Sequence, residues 1–235
     1  MTTHRTDARA DRERAPAPGV KDRSRRAPTS EARDAKADLL NAAVESILDL
    51  GFYRASTNEI ARRANVSWSS IRYYFGSREA LLLAAVAELN DRFTDSLRDT
   101  TIVGETLEDR LRSLYDQLAV YFGDPVYLAQ IQIALNLHHD PNTSPEAVQT
   151  LAGQAATNAS LLRELLGQAL GGKVSSITSS AIFHSMRGIA LSQQLSQSAT
   201  WHTGPPSSGA VARREVDVLI AGLAHAVRLD AGTES

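Results

Sequence analysis

Apolar residues recur along this chain at helical spacing, and the periodic segments are separated by Gly, Pro, Asp and Asn. In the first segment Leu39, Ala43 and Ile47 share one face, and Gly51 follows where a helix commonly ends. Because no segment shows the alternation typical of a strand, the pattern predicts an all-α protein. The predicted helices cover about residues 30–50, 57–64, 68–75, 78–98, 106–122, 125–137, 145–170, 175–194 and 213–228.

Two of these helices are short and are joined by a tight turn. Ser56 and Glu59 have the spacing of a capping box before the first, and Ser67 is the expected N-cap of the second. Asn65 falls where the turn requires a left-handed backbone, and Asn is the best substitute for Gly there. The segment is therefore predicted to be a helix-turn-helix.

The second short helix is expected to present a polar and aromatic face. Small and branched residues supply the inner faces of both helices, with Ile71 and Phe75 on the second. Ser69, Ser70 and Tyr73 then point outward, as hydrogen-bonding groups that a DNA major groove accepts. The alternative is an ordinary helical corner with a solvated face, against which the exposed aromatic residues beside an arginine argue.

Residues 35–82 resemble the DNA-binding domain of the TetR family of bacterial regulators. The family pattern is Thr-x-x-Ile-Ala-x-x-Ala-Gly-Val-Ser, then a short recognition helix ending Tyr-x-x-Phe, then Ser-Lys-Glu-x-Leu. The matching positions here are Thr57, Ile60, Ala61, Ala64, Val66, Ser67, Phe75, Ser77, Glu79 and Leu81.

The departures from that pattern bear on DNA contacts. Asn65 replaces the turn glycine, and Arg78 replaces the family's Lys as a phosphate-binding cation. Arg72 stands where the family has a phosphate-contacting Tyr, so that role passes to Arg72 or shifts to Tyr73; Trp68 takes a Lys position. The predicted DNA-binding residues are Thr57, Asn58, Trp68, Ser69, Ser70, Arg72, Tyr73 and Arg78.

Charge and composition divide the chain into three parts. Residues 1–28 hold eight basic and four acidic residues and almost no large apolar one, which predicts a disordered basic arm. Residues 29–82 have equal numbers of both charges and form the predicted helix-turn-helix domain, whereas residues 83–235 carry a net charge of −6. The absence of cysteine and of any long apolar run favours a cytoplasmic protein without a membrane partner.

For residues 83–235 the resemblance implies a larger helical domain that binds a small molecule and dimerises through its last two helices, joined to the DNA-binding domain by a linking helix. The helix at 125–137 is apolar on nearly every side but contains amides that need buried partners, supplied by other side chains or by a ligand. The alternative for each aromatic residue is plain core. The candidate ligand-binding residues are Tyr115, Tyr121, Tyr127, Gln130, Asn136, Phe183 and His184.

Two apolar stripes are candidates for the dimer interface. Leu219 and Leu223 share a face of the last helix, and Ile182 and Met186 share a face of the helix before it. Together they can form a four-helix bundle between two subunits, or they can be core within one subunit. The resemblance favours the dimer.

Three function classes are compatible with a helical chain of this kind. The first is a homodimeric transcriptional regulator that binds a palindromic DNA operator, most often as a repressor released by a small, largely hydrophobic effector. The second is a helical enzyme, which the lack of Cys, a phosphate loop, paired carboxylates or a metal motif disfavours; His138 and His139 are adjacent on a helix and chelate poorly together, so no metal or cofactor is expected. The third is a DNA-binding architectural protein, whose C-terminal domain would have no pocket.

Overall fold

The computed structural model describes residues 30–172, 175–196 and 209–233, and the regular structure within these ranges is entirely helical. The predicted all-α class is confirmed. The helices are α1 (Ser30–Leu50), α2 (Thr57–Arg63), α3 (Trp68–Tyr74), α4 (Arg78–Arg98), α5 (Leu107–Phe122), α6 (Pro125–His139), α7 (Pro145–Leu170), α8 (Ser176–Ser196) and α9 (Gly209–Thr233).

The largest differences from the predicted bounds occur at the two ends of α9, which extends to Thr233, five residues beyond the predicted end at Arg228. Helix α8 continues to Ser196, and α9 begins at Gly209, four residues before the predicted start at Arg213. Ala210 and Ala212 are strong helix formers, and packing of the apolar face of α9 extends the helix toward them. Residues 197–208, within the predicted loop, and the predicted arm at 1–28 lie outside the described residues.

One hydrophobic core holds α1, α2, α3 and the first half of α4 together, with Leu39, Ile47 and Ile60 fully buried. Helix α6 also contributes to this core. Its residues Ala129, Ile133 and Leu137, spaced by four, point into the helix-turn-helix domain. The N-terminal core is therefore completed by a helix that the sequence places far downstream.

A second core forms from the rest of α4 with α5, α7, α8 and α9. Leu114, Leu165 and Ile182 are fully or almost fully buried in it. Helix α4 enters both cores, because Leu82 belongs to the first and Phe93 to the second. Packing therefore continues through α4 from one domain to the other.

None of the described helices alone is long and apolar enough to span a bilayer, and α5 with α6 reaches the required hydropathy only as a pair bent by 69°.

Candidate DNA-binding surface and internal cavity

The turn between α2 and α3 has the predicted left-handed residue. Asn65 has φ of +53°, and it is the only residue other than glycine with positive φ in the part of the chain that the structure describes. The Val66 amide donates to the Ala61 carbonyl at 3.0 Å, which closes the turn. The predicted role of Asn65 is confirmed, and the turn fixes the angle at which α3 leaves α2.

The predicted capping box at the start of α2 is only half formed. The Ser56 hydroxyl accepts a hydrogen bond from the Glu59 amide at 3.2 Å, as expected. The Glu59 carboxylate instead accepts two hydrogen bonds from Arg62, at 2.6 and 2.8 Å, which lower the pKa of Glu59. The nearby Arg62 was not considered in the sequence prediction, and its charge is paired rather than free for DNA.

Helix α3 has one inner and one outer face. Ile71 is 2% exposed, and Tyr74 and Phe75 pack partly against the N-terminal core. Tyr73 is 81% exposed and Trp68 is 49% exposed. Two large aromatic side chains are thus exposed on a helix of seven residues.

The outer face also carries one guanidinium and a group of hydroxyls. The Arg72 guanidinium carbon lies 6.0 Å from the Trp68 ring centroid, within cation–π range. The Ser67 hydroxyl lies 2.7 Å from that of Ser69 and 3.0 Å from that of Ser70, so it makes no cap to the helix backbone. Ser69 is exposed, but Ser70 is half-buried, so its hydroxyl is less accessible than the sequence predicted.

The start of α2 borders the same domain surface, with Thr57 half-buried and Asn58 exposed. Sequence reasoning missed Tyr53 in the loop before α2, which is 86% exposed. The signal was available, because a loop this short can bury only one of two adjacent aromatic residues, and Phe52 is the buried one. It also missed Lys36, whose ammonium nitrogen lies 5.6 Å from the Phe75 ring centroid, at the end of α3.

Arg78 is placed differently from the prediction of a phosphate contact. Its guanidinium donates to the carbonyl of Phe52 at 2.7 Å and to that of Ala55 at 3.2 Å, and it lies 4.5 Å from the Phe52 ring centroid. Burial lowers the pKa of Arg78 from its ordinary value. The side chain satisfies loop carbonyls that would otherwise lack donors, so we assign it to the structure of the domain.

We expect Arg78→Ala to lower the free energy of unfolding by about 1–3 kcal/mol, because two loop carbonyls lose a charged donor. The slope of log affinity for DNA against log salt should stay unchanged. Arg72→Ala is the matched control, and it should reduce that slope by about one unit at little cost in stability. Denaturant unfolding and DNA titrations over a salt series measure both quantities. An equal loss of slope in the two variants would return Arg78 to the set of DNA contacts.

A cavity of about 290 Å³, partly open to solvent, lies between α4, α5, α6 and α7, with Arg187 of α8 in its lining. Its polar part is a group of four amides centred on Asn90, which is 7% exposed. The Asn90 oxygen accepts from Gln130 at 2.6 Å and from Asn158 at 2.7 Å, and the Asn90 amide nitrogen donates to Gln154 at 3.3 Å. Gln130 was predicted to need buried hydrogen-bond partners, and these partners are other side chains of the cavity wall.

Aromatic rings form the apolar part of that wall. Phe93 and Tyr121 are stacked with centroids 3.9 Å apart, and Tyr127 lies 5.0 Å from both Tyr121 and Phe122. Burial raises the pKa of Tyr121 well above its usual range, so its hydroxyl stays protonated and donates to the Gln130 amide oxygen. Three predicted residues, Tyr121, Tyr127 and Gln130, therefore meet at one cavity.

The other candidate ligand-binding residues lie elsewhere. Phe183 and His184 line a neighbouring cavity of about 520 Å³ between α7 and α8. Tyr115 is buried in the core between α5, α8 and α9, with its hydroxyl 3.4 Å from Gln193, and Asn136 donates to the Gln132 carbonyl at 2.7 Å within α6. Neither of these two lines the cavities described here. Both were predicted because their residue types suit a pocket, but their helical phase turns them away from it.

The two apolar stripes predicted at a dimer interface are buried within this chain. Ile182 and Met186 are fully buried, Leu223 is 8% exposed, and Leu219 packs against the same core. The interpretation as core within one subunit is therefore the correct one for these stripes. Periodicity identified which face is buried, but it contains no information on whether the covering helix belongs to the same chain.

The rings of His138 and His139 lie edge to face with centroids 5.1 Å apart, on an exposed end of α6. Within the described ranges no three His, Asp or Glu side chains are grouped so as to hold a metal ion.

Residues 39–85 match the family model described as bacterial regulatory proteins, tetR family. A similar curated protein is the HTH-type transcriptional regulator BetI of Escherichia coli O17:K52:H18 (strain UMN026 / ExPEC), which is 31% identical over 80 residues. That alignment covers 33% of this chain and 41% of BetI. The chain thus spans about two fifths of the length of the curated relatives that it matches, and the likeness is confined to the N-terminal part.

Solved structures share the fold over most of the chain. A transcriptional regulator from Rhodococcus sp. Rha1 has a TM-score of 0.59 at 19% identity, covering 81% of this chain and 96% of that one. FadR from Bacillus subtilis, solved in complex with stearoyl-CoA, has a TM-score of 0.52 at 17% identity. That match covers 79% of this chain and 98% of the FadR chain. At these identities the likeness concerns the fold alone.

Proposed function

We propose that this chain, whose residues 39–85 match the tetR family of bacterial regulatory proteins, is a ligand-responsive transcriptional repressor of that family. In this proposal it binds a palindromic operator as a homodimer and leaves it when a small, largely apolar effector enters the internal cavity. The observation that carries the proposal is the double packing of α6, which faces the DNA-binding domain on one side and the cavity on the other.

The proposed operator contacts come from the outer face of α3 and the start of α2. Tyr73, Trp68 and Ser69 offer an aromatic and hydroxyl surface to base edges, sugars and phosphates. Arg72, held beside Trp68, supplies a cation, and Asn58 with Thr57 supplies the flanking contacts. We leave Arg78 out of the interface because loop carbonyls already bind its guanidinium.

The proposed dimer uses faces of α8 and α9 that the chain's own core leaves exposed. On α9 Val218 is 68% exposed, and on α8 Ile177 is 80% exposed. Gly188 and Gly222 lie on the same faces, and a Cβ added at either would meet nothing within 4 Å. A glycine inside a helix costs about 1 kcal/mol relative to alanine, which close approach of a second subunit would offset. The exposed face of α9 includes Val218, Ala221, Gly222, His225 and Leu229.

Helix α6 provides the proposed coupling between effector and DNA. Ala129 and Ile133 are fully buried in the N-terminal core, while Gln130 and Ala134 line the cavity. Because close-packed cores are not continuously deformable, a ligand that moves α6 must repack the helix-turn-helix domain or shift it as a body. The effector would thereby favour a spacing of the two recognition helices that no longer fits successive major grooves.

A side chain that fills the cavity should imitate the effector. We expect Ala134→Phe to weaken DNA affinity by about fivefold to a hundredfold without any ligand, the usual range of coupling between two sites. Leu135→Phe, at the next and 54% exposed position of α6, is the matched control and should leave affinity unchanged. The duplex is obtained by selection from a random-sequence pool on the unmodified protein, and fluorescence anisotropy measures the affinities.

Equal DNA affinity in Ala134→Phe and the unmodified protein, with both folded, would contradict the coupling. It would favour the DNA-binding architectural protein, for which occupancy of the cavity has no consequence. A failure to select any duplex would contradict the DNA-binding part of the proposal itself.

A further inference from the structure

The internal cavity continues into the larger one between α7 and α8. Phe122, Ala159, Leu162 and Arg187 line both cavities, so the two share a wall. Arg187, which lines both cavities, is exposed overall. The larger cavity therefore adjoins the aromatic wall of the smaller one, and because it is partly open to solvent we call it the mouth.

The charged side chains of the mouth are basic. Arg163 and Arg187 line it, and its described lining contains no Asp or Glu. Neither arginine forms an ion pair within the described ranges, whereas those at positions 62, 63, 92, 98, 112 and 228 each pair with a carboxylate. Two arginines in the lining of one cavity, without carboxylate partners, offer a site for a planar anion.

The start of α8, where Ser176 lines the mouth, receives a carboxylate from α9. Asp230 of α9 accepts a hydrogen bond from the Ser175 amide at 2.9 Å, at the start of α8. The backbone amide of Ser175 therefore already has a hydrogen-bond acceptor. The charged donors that remain for an anion are the two arginines. Hydroxyls of Ser179 and Ser180 line the mouth as additional donors.

The interior beyond the mouth suits an apolar body. Phe122 is shared by both cavities, and Tyr127 lines the inner one beside it. Their ring centroids lie 5.0 Å apart, so they offer a broad aromatic surface. The amides around Asn90 form the far polar end, where a ligand can exchange hydrogen bonds.

We propose that the effector is an amphipathic organic anion, with its carboxylate, sulfonate or phosphate group between Arg163 and Arg187 and its apolar body against Phe122 and Tyr127. This assignment rests on the proposed function, since it names the chemical class of that effector. It places the charged group in the mouth and the apolar group in the cavity that α6 lines.

Two probes with the same apolar body separate the contribution of the charge. 8-Anilinonaphthalene-1-sulfonate carries a sulfonate, and N-phenyl-1-naphthylamine lacks it; both fluoresce more strongly in apolar surroundings. We expect the double variant Arg163→Gln, Arg187→Gln to bind the sulfonate about tenfold or more weakly, because charge-assisted hydrogen bonds are lost. Its affinity for the neutral probe should not change. Arg54→Gln, at an exposed position in the loop between α1 and α2, is the control and should bind both probes as the unmodified protein does.

Equal affinity of the double variant and the unmodified protein for the sulfonate would overturn the inference, and so would a parallel loss for both probes. Affinity for the selected DNA duplex is measured on the same variants, and it distinguishes a failure of this inference from a failure of the proposed function. Arginine-dependent sulfonate binding that leaves DNA affinity unchanged would support the ligand class and contradict the regulation. Loss of DNA affinity in Ala134→Phe, with no dependence of sulfonate binding on the arginines, would support the regulation and contradict the ligand class.

Discussion

Replacing Ile71 by alanine is expected to destabilise the protein by about 2–5 kcal/mol, because the change leaves a cavity in the N-terminal core. Ile71 is 2% exposed on the inner face of α3. Tyr73→Ala, two residues away, should leave the free energy of unfolding nearly unchanged, because that side chain is 81% exposed. Its cost should fall on DNA binding, at about 1–3 kcal/mol for the lost contacts to base edges or phosphates.

The two variants control each other, because they alter the same helix on opposite faces. Thermal unfolding and titration of the selected duplex are measured for both. If Tyr73→Ala lowered the melting temperature as much as Ile71→Ala, the faces of α3 would be assigned wrongly. The proposed DNA surface would then have to be rebuilt around other residues.

Gly222→Arg is expected to convert the protein to a monomer, because a long cation would stand in the proposed interface of α9. Loss of the second half-site should reduce affinity for a palindromic duplex by about two orders of magnitude or more. The helix itself should persist, since Gly222 is exposed and an added side chain meets nothing nearby within the chain. Light scattering after size exclusion measures the mass, and anisotropy measures the affinity.

The matched control for that variant is Val103→Arg, in the loop between α4 and α5, where the residue is 65% exposed. It introduces the same side chain away from α8 and α9 and should leave a dimer with normal affinity. A Gly222→Arg protein that remains dimeric would refute the proposed interface and direct attention to another surface.

The local features of the fold were the ones that the sequence predicted best. Gly51 ends α1, Asn65 takes the left-handed turn, and Pro145 opens α7, because each acts through its own backbone. Arg78 shows where local reasoning fails. Its partner Phe52 lies 26 residues earlier, and only the packing of α1 against α4 brings the two together. A cation at the start of a helix does not by itself say whether it faces solvent or a carbonyl.

Only some of the cavity residues were predicted, because local reasoning reaches neighbouring helices and not distant ones. Tyr121, Tyr127 and Gln130 meet because α5 and α6 follow one another directly in the chain. The central amide, Asn90, belongs to α4 and was not predicted, since its environment depends on contacts with residues 40 to 68 positions away. Arg163 and Arg187 were missed because the sequence does not reveal that α7 and α8 bring them to one mouth.

The place of α6 in the N-terminal core limits how this protein can be recombined with others. Ala129, Ile133 and Leu137 fill space between the helices that carry the DNA-binding surface. A fragment that ends before α5 would expose the apolar side chains of α1 and α4 that these residues cover. A chimera that joins the DNA-binding domain of this protein to another regulator must therefore include α6, or a helix with the same three side chains.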